Sequence, residues 1–447
     1  MRLSVLIFIL LLPIPSRRLI AQTPDQKKLL QKKLETARPG DTIILSTIQE
    51  QERRKEIKER KIRSEAQHQA SQKLYFEKLK KVINRDSVIR INLSSLNLSE
   101  IPTLIYSFKN LNSLNLSSNK IRSLPKRLNT LVNLKKLILN NHQENLKKIK
   151  IKKQRHIAIL ILQKNNLDQL PRQFKRLKSL KEIDLGKNAF KQIPKNLRKY
   201  KHLELLSLNH NQELSISSQN LKKLVRISSL RINNCNLFYF PESILQLTNL
   251  KELQLAENNI VSIPQNISKL KKLEFFSIYK NRVSSIPDGF YELQKLTQTD
   301  LYYNNISVLS PKIKNLTNLK VLYLSHNIVY DIPNEIGALN KLEELYLHNN
   351  LLSYLPTQIK ELKQLQALHL NNNLLSQFPK EVTLLSLLKD IDISNNEIRE
   401  LPKNLLNLNN LEIFYLQGNS FNQTTESDRN LESIIETFKK RGVNVNY

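Results

Sequence analysis

The sequence predicts an α/β solenoid, a horseshoe with a parallel β-sheet on its concave side and irregular or 3-10 backbone on its convex side. Three observations predict it. One pattern, L-x-x-L-x-L-x-x-N-x-L-x-x-L-P, recurs fifteen times between Val88 and Phe421, every 23 residues except for one interval of 24 before Ile227. The first, fourth and sixth slots are aliphatic or Phe in every copy, with Thr299 the one exception. The ninth slot is Asn in twelve copies, from Asn119 to Asn419, and Leu96, His142 and Cys235 fill the other three. One copy cannot bury its apolar face alone, so neighbours must stack and share a continuous core.

Each slot has a physical reason. The fourth-to-sixth alternation has period two, which makes that segment a short strand, and copies in one phase set their strands side by side in parallel. The chain then leaves the strand through a buried turn, where backbone N–H and C=O groups need partners. Asn carries both a donor and an acceptor and can satisfy such groups on the adjacent copy. Eleven copies end in Leu, Ile or Phe followed by Pro, such as Leu124-Pro125 and Phe378-Pro379. Proline removes a donor and fixes φ, which suits an irregular convex segment better than a long helix.

Copies three and six lack the Pro and share a motif, Gln143-Glu144-Asn145-Leu146-Lys147-Lys148 and Gln219-Asn220-Leu221-Lys222-Lys223. Copy three continues into a basic run, Ile149 to His156. That run reads as a solvated convex segment, or as a contact for lipid headgroups or acidic polysaccharide.

These residues resemble the leucine-rich repeat family in its short bacterial 23-residue form, over about three quarters of the chain. The resemblance implies the horseshoe, and for secreted bacterial members a role in host interaction. Family members also place Cys in the Asn slot, so Cys235, the only cysteine, is expected to be a buried structural thiol. With one cysteine no intramolecular disulfide can form.

The flanks are read in order. Met1–Ala21 has the plan of a secretory signal: Arg2, a ten-residue apolar run Leu3–Leu12, and a cleavage site at Leu19-Ile20-Ala21 with Gln22 first in the mature chain. The run is too short to span a bilayer, and no transmembrane segment is expected. Residues 22–87 form a charged helical flank and N-terminal cap. Within it Arg38-Pro39-Gly40-Asp41 is a turn, and Gln49–Ile83 reads as one helix. Its second half carries an apolar stripe, Ile62, Ala66, Ala70, Leu74, Leu79, Val82 and Ile83, expected to dock on the open core of the first copy. Residues 422–447 are expected to be a C-terminal cap: a helix capped by Ser427-Asp428, burying Leu431, Ile434, Ile435 and Phe438 and ending before Gly442, then a strand over Val443–Tyr447.

The net charge of +32 is not spread evenly. The concave-facing slots (third, fifth, seventh, eighth and tenth) are close to neutral in sum, so the positive excess lies on the convex side, the edges and the N-terminal segment. A basic stripe along a groove would argue for nucleic acid; its absence from the concave face argues against sequence-specific nucleic-acid binding there.

Concave side chains are free of packing duty. From copy nine their character changes. Phe275, Tyr279, Tyr302, Tyr303, Tyr323, Tyr346 and Tyr415 face outward with His326, His348 and His369, and Asp300 and Asp392 end the fifth-slot ladder Tyr323, Tyr346, His369. Acids outnumber bases in this half. Amphipathic aromatic residues are enriched at interface hot spots, so these twelve residues are expected to bind a protein partner bearing Lys or Arg. The second reading is a binder of polyanions (glycosaminoglycan, lipopolysaccharide or an anionic membrane surface) through the Lys-rich convex side. The three histidines sit in slots eight, seven and five, with the latter pair roughly 8 Å apart by strand geometry, too loose for one metal. No catalytic motif and no cofactor site is expected: the few Gly form no phosphate-cradling loop, and there is no H-E-x-x-H or nucleophile elbow.

Overall fold

The structure, a computed structural model, describes residues 41–142, 144–217, 221, 224–421 and 425–447. The expected leader Met1–Ala21, residues 38–40 of the expected turn and most of the copy-six motif lie outside the described residues. Contacts divide the chain into two units, 1–71 and 72–447.

The first unit contains most of one helix, α1 (Asp41–Lys80). Among the described residues this helix runs from Asp41, eight residues before the expected Gln49, and stops three before Ile83. Nothing between Asp41 and Gln49 breaks a helix, and the Ile and Thr residues there lower helix propensity only slightly. The expected apolar stripe is corrected. Ile62, Ala66, Ala70, Leu74 and Ile83 are exposed. In the second unit Leu79 is buried, and Tyr75, Phe76 and Val82 pack against the core. Within this unit the docking face is thus Tyr75, Phe76, Leu79 and Val82, the expected Leu79 and Val82 joined by two aromatic residues.

The second unit is a solenoid. Its main sheet has sixteen parallel strands of three residues each, from Arg90–Asn92 to Asn444–Asn446, with neighbours in chain order. Fifteen of these strands lie in the fifteen copies. The register advances by one copy at each step, as in Tyr323↔Tyr346, and the 24-residue interval is absorbed where Leu205 pairs with Ser229. The central residue of each repeat strand is buried and its neighbours are half-exposed in most copies, as in Val321–Tyr323. One face of the sheet thus builds the core while the other stays open.

On the opposite side, twelve copies make a five-residue 3-10 turn among the described residues. Eleven of those turns begin directly after a Pro, and in the twelfth Pro311 is itself the first residue. Copy three differs: a short helix, α2 (Glu144–Lys148), leads into Lys150–Ile151, which pairs with Ser123–Leu124 in a second two-stranded sheet.

The Asn ladder closes the buried turns rung by rung. Asn119 Nδ2 donates to Leu116 O in its own copy and to Leu93 O in the copy before, while its Oδ1 accepts from Leu96 N and Leu98 N. Asn327 and Asn350 repeat the arrangement. His142 fills the slot less well: Nε2 meets Leu116 O at 2.8 Å, but Nδ1 is buried without a partner. Cys235 donates from Sγ to Leu208 O at 3.3 Å, and burial pushes its thiol pKa up to about 11, which keeps it protonated and inert. Thr299, the exception among the apolar slots, is fully buried with its hydroxyl oxygen unpartnered.

The eighth slot carries a further demand. In every copy this residue has positive φ, from 51° at His326 to 71° at Gly418. The left-handed conformation turns the chain from the strand into the Asn ladder. It suits Gly and Asn and costs other L-residues roughly 1–2 kcal/mol.

At the C-terminal end a helix, α3 (Thr425–Lys440), buries Ile434, Ile435 and Phe438, and the last strand pairs with Ile413–Tyr415. Ser427 and Asp428 lie inside the first turn rather than before it, which corrects the expected cap.

Candidate functional site

The sheet sets the geometry of the concave wall. Cα atoms of Asp300, Tyr323, Tyr346, His369, Asp392 and Tyr415 are successive partners across five strand pairs. The seventh and eighth slots lie one turn further along each copy and add Tyr279, Tyr302, Tyr303, His326 and His348. These outer residues are half-exposed, and Tyr303 is more exposed than the rest.

Eight rings join into one continuous patch. Tyr279 stacks on Tyr302 at 5.6 Å, and Tyr302 meets the edge of Tyr303 at 4.5 Å. Tyr303 stacks on His326 at 4.0 Å, and His326 meets His348 at 5.5 Å. His348 lies 6.2 Å from His369, closer than strand spacing alone predicts. His369 meets Tyr346 at 4.8 Å, and Tyr346 stacks on Tyr323 at 4.8 Å. The expected ladder is therefore parallel at its first step and edge-on at its second, with 79° between Tyr346 and His369. The cause is local: His369 Nε2 lies 3.1 Å from Asp390 Oδ2, which turns the imidazole toward the third-slot column. Phe275 and Tyr415 also face outward but join no ring contact among the described residues.

Carboxylates rim the rings. Asp300 accepts from Tyr302 N and from Ser277 Oγ, and Asp392 accepts from Ser394. Two acids that were not singled out in the sequence belong here as well. Glu344 accepts from Tyr346 Oη at 3.0 Å, and Asp390 holds His369. Their signal is the third slot, one column beside the fifth-slot ladder.

Burial dominates the electrostatics. It lowers the pKa of His348 to about 4, helped by the nearby His369 and His326, and it lowers that of His326. It raises the pKa of Asp300 and lifts that of Tyr302 to about 12. His348 is therefore a neutral imidazole at neutral pH, its Nδ1 2.8 Å from Ser325 Oγ, and Tyr302 is a neutral phenol. Among the described residues no group of three or more His, Cys, Asp or Glu is placed to hold a metal ion. The wall offers ring faces, hydroxyls and rim carboxylates, a set suited to cationic side chains and flat apolar surface.

The family model described as leucine rich repeat matches residues 155–212 and 317–375. The chain carries leucine-rich repeats in those segments, and its solenoid has the leucine-rich repeat fold. It is similar to a leucine-rich repeat protein of Leptospira interrogans, with 27% identity, a TM-score of 0.64, and coverage of 83% of this chain and 98% of that one. It is also similar to the ectodomain of the Arabidopsis thaliana membrane receptor kinase GASSHO1/SCHENGEN3, solved in complex with Casparian strip integrity factor 2, with 27% identity, a TM-score of 0.53, and coverage of 75% and 44%. An internalin of Listeria monocytogenes shares the fold, with 21% identity, a TM-score of 0.51, and coverage of 81% and 87%. No curated protein matches the chain in sequence. The repeat architecture of this protein is that of an interaction scaffold, and no helix among its described residues is long and apolar enough to cross a membrane.

Proposed function

We propose that this leucine-rich repeat protein is a non-enzymatic scaffold that captures a protein partner on the C-terminal half of its concave wall. The partner presents Lys or Arg side chains to the tyrosine faces and rim carboxylates. One observation carries this reading: eight rings from five successive copies form a single patch. Two of them, Tyr303 and His326, sit on left-handed backbone that favours Gly or Asn. Bulky rings held at a conformational cost, on a face with no packing duty, point to use by a ligand. The receptor ectodomain similar to this chain was itself solved with a bound factor.

The division into leader 1–21, flank and cap 22–87, repeats 88–421 and terminal cap 422–447 belongs to the same proposal. So does export to the periplasm, the cell surface or the medium, on the leader plan of Met1–Ala21, with host interaction as the role implied by resemblance. A single cysteine, buried and protonated, fits an oxidising compartment.

The test is the triple variant Tyr302→Ala, Tyr323→Ala, Tyr346→Ala in the mature chain. The variant should still fold, because these side chains lie outside the core, with a lower melt as their ring contacts are lost. Proteins retained by wild type from host and envelope extracts should be lost by the variant. An unchanged set of retained proteins would reject the site.

A further inference from the structure

The charge excess has a precise address. Residues 121–202 hold 23 Lys and Arg against 4 Asp and Glu. All these cations are exposed except Lys136, which is half-exposed. Lys181 and Lys191 pair with Glu204 and Glu213. Lys126, Lys150, Lys152, Lys175, Lys195 and Lys199 meet no acid among the described residues.

Several of these cations stand on tied backbone. Lys150–Ile151 pairs with Ser123–Leu124, and along it Ile149 and Ile151 are buried while Lys150 and Lys152 face solvent. Asn129 of copy two donates to Lys153 O at 2.9 Å and accepts from Arg155 N at 2.9 Å. Buried Gln154 donates to Pro125 O and Lys152 O at 3.0 Å each, and its own N–H donates to Arg176 O of copy four. The convex backbones of copies two, three and four are thus laced together under a ridge of lysines. Ordering that backbone adds no further cost on binding.

We infer that the convex face of copies two to five is a second binding surface, for a flexible linear anionic polysaccharide. Three observations select this class of polyanion. Phe174, Phe190 and Tyr200 are buried, so no Phe or Tyr ring is free to stack unpaired bases. Val132 is the only large exposed apolar side chain among the described residues of this segment, so there is nothing to insert among lipids. The face is an outward arc, which a flat bilayer or a stiff duplex meets only along a tangent, while a flexible chain of sulfated or carboxylated sugars can follow it. Duplex DNA is straight over about 50 nm.

The test uses the full chain and a heparin oligosaccharide as probe. Wild type should bind it, with affinity falling tenfold or more between about 50 and 200 mM salt. The variant Lys150→Glu, Lys152→Glu, Lys175→Glu should lose about tenfold or more at fixed salt. The control Lys269→Glu, Lys271→Glu, Lys363→Glu changes net charge equally on the convex side of later copies and should lose less than about twofold. Equal losses in the two variants would overturn the inference. So would no binding of heparin, or tighter binding to duplex DNA or to phosphatidylcholine vesicles with about one fifth phosphatidylserine. The triple tyrosine variant should keep heparin binding, which separates this surface from the concave one.

Discussion

Copies two to five and copies nine to thirteen are built on the same rung and finished differently. The early copies carry a dense cation field, 23 bases to 4 acids over residues 121–202, with all of the bases but Lys136, Lys164 and Lys187 outside the concave-facing slots, and their concave wall mixes polar residues with Ile138, Ile159 and Ile161. The later copies reverse the emphasis: eight linked rings and their carboxylates line the concave wall, and convex lysines such as Lys312 pair with acids, here Asp288 at 2.7 Å. The slots that bear the fold are alike in both halves, and the free slots have diverged. A solenoid permits this because each rung packs mainly on its neighbours. Two surfaces on opposite sides of one sheet need not compete for space, so two ligands of opposite charge could be held at once.

The comparison breaks first if the shared slots are not energetically shared. Asn165 and Asn327 make matching sets of bonds. Each Nδ2 reaches the sixth-slot carbonyl of its own and the preceding copy, and each Oδ1 accepts an amide from the preceding copy. Asn165→Ala and Asn327→Ala should each cost about 3 kcal/mol or more, because several buried backbone groups lose their partners. Chemical denaturation measures both. A cost at Asn165 far below that at Asn327 would mean that the early half tolerates a different fold logic.

A second, smaller effect should belong to the later half alone. Its convex turns approach closely at glycines: a Cβ on Gly289 would lie 1.9 Å from Gln265 O, and one on Gly337 would lie 2.6 Å from Gln358 O. No convex turn in copies two to five contains Gly. Gly289→Ala should destabilise by about 2 kcal/mol as neighbouring backbone is pushed aside. A neutral result would show that the later turns are as loosely spaced as the lysine-bearing ones.

Much of this contrast was legible in the sequence, and what escaped had identifiable causes. The rungs, the long interval before Ile227 and the outward tyrosines follow from period and phase, because a strand of period two fixes which face each slot meets. The linking of the rings followed only in part, since side-chain torsions decide whether neighbours stack or meet edge-on. His369 turned because Asp390 sits one column away, and column-by-column reading did not pair them. The left-handed eighth slot was also missed. Only six of its fifteen occupants are Asn or Gly and the rest are Ser, Lys, Glu, Tyr or His, because the turn is imposed by neighbouring rungs more than by local preference. The docking face at the end of α1 was legible only in part: Leu79 and Val82 follow from the apolar stripe, while Tyr75 and Phe76, which also pack on the core, lie off it.

Acid should affect both halves, but for different reasons. Burial lowers the pKa of His142 in the early core and of His348 in the later wall. A histidine whose folded pKa lies below its unfolded value near 6.5 binds its proton more readily when unfolded. Stability from each is therefore fully present above that pH and is lost as pH falls through it, toward about 4 for His348. His142→Asn should flatten the early part of this acid loss and leave ligand binding alone. Protonated His348 would face His326, His369 and the Tyr302 ring, with Asp390 beside His369. The wall would then gain positive charge, and affinity for a cationic partner should fall over the same pH range. Melting temperatures and partner affinity measured from pH 7.5 to about 4.5 separate the two; parallel loss in His142→Asn and wild type would remove His142 from the account.

The smallest expected change in stability bears most directly on why the halves differ. Tyr303 has φ of 54°, and Asn349, Asn372 and Asn395 take the same left-handed turn in the eighth slot of copies twelve to fourteen. Replacing Tyr303 by Asn relieves a backbone cost of roughly 1–2 kcal/mol. It also removes the stack on His326 at 4.0 Å and the edge contact with Tyr302 at 4.5 Å, each worth roughly 0.5–1.5 kcal/mol. The two nearly cancel, so the melt of Tyr303→Asn should match wild type within about 1 kcal/mol. Partner capture should nevertheless drop, because the most exposed ring of the patch is gone. If Tyr303→Asn instead kept full capture, the left-handed tyrosine would have no use that offsets its cost, and the later half would be a variant of the fold rather than a surface shaped by its ligand.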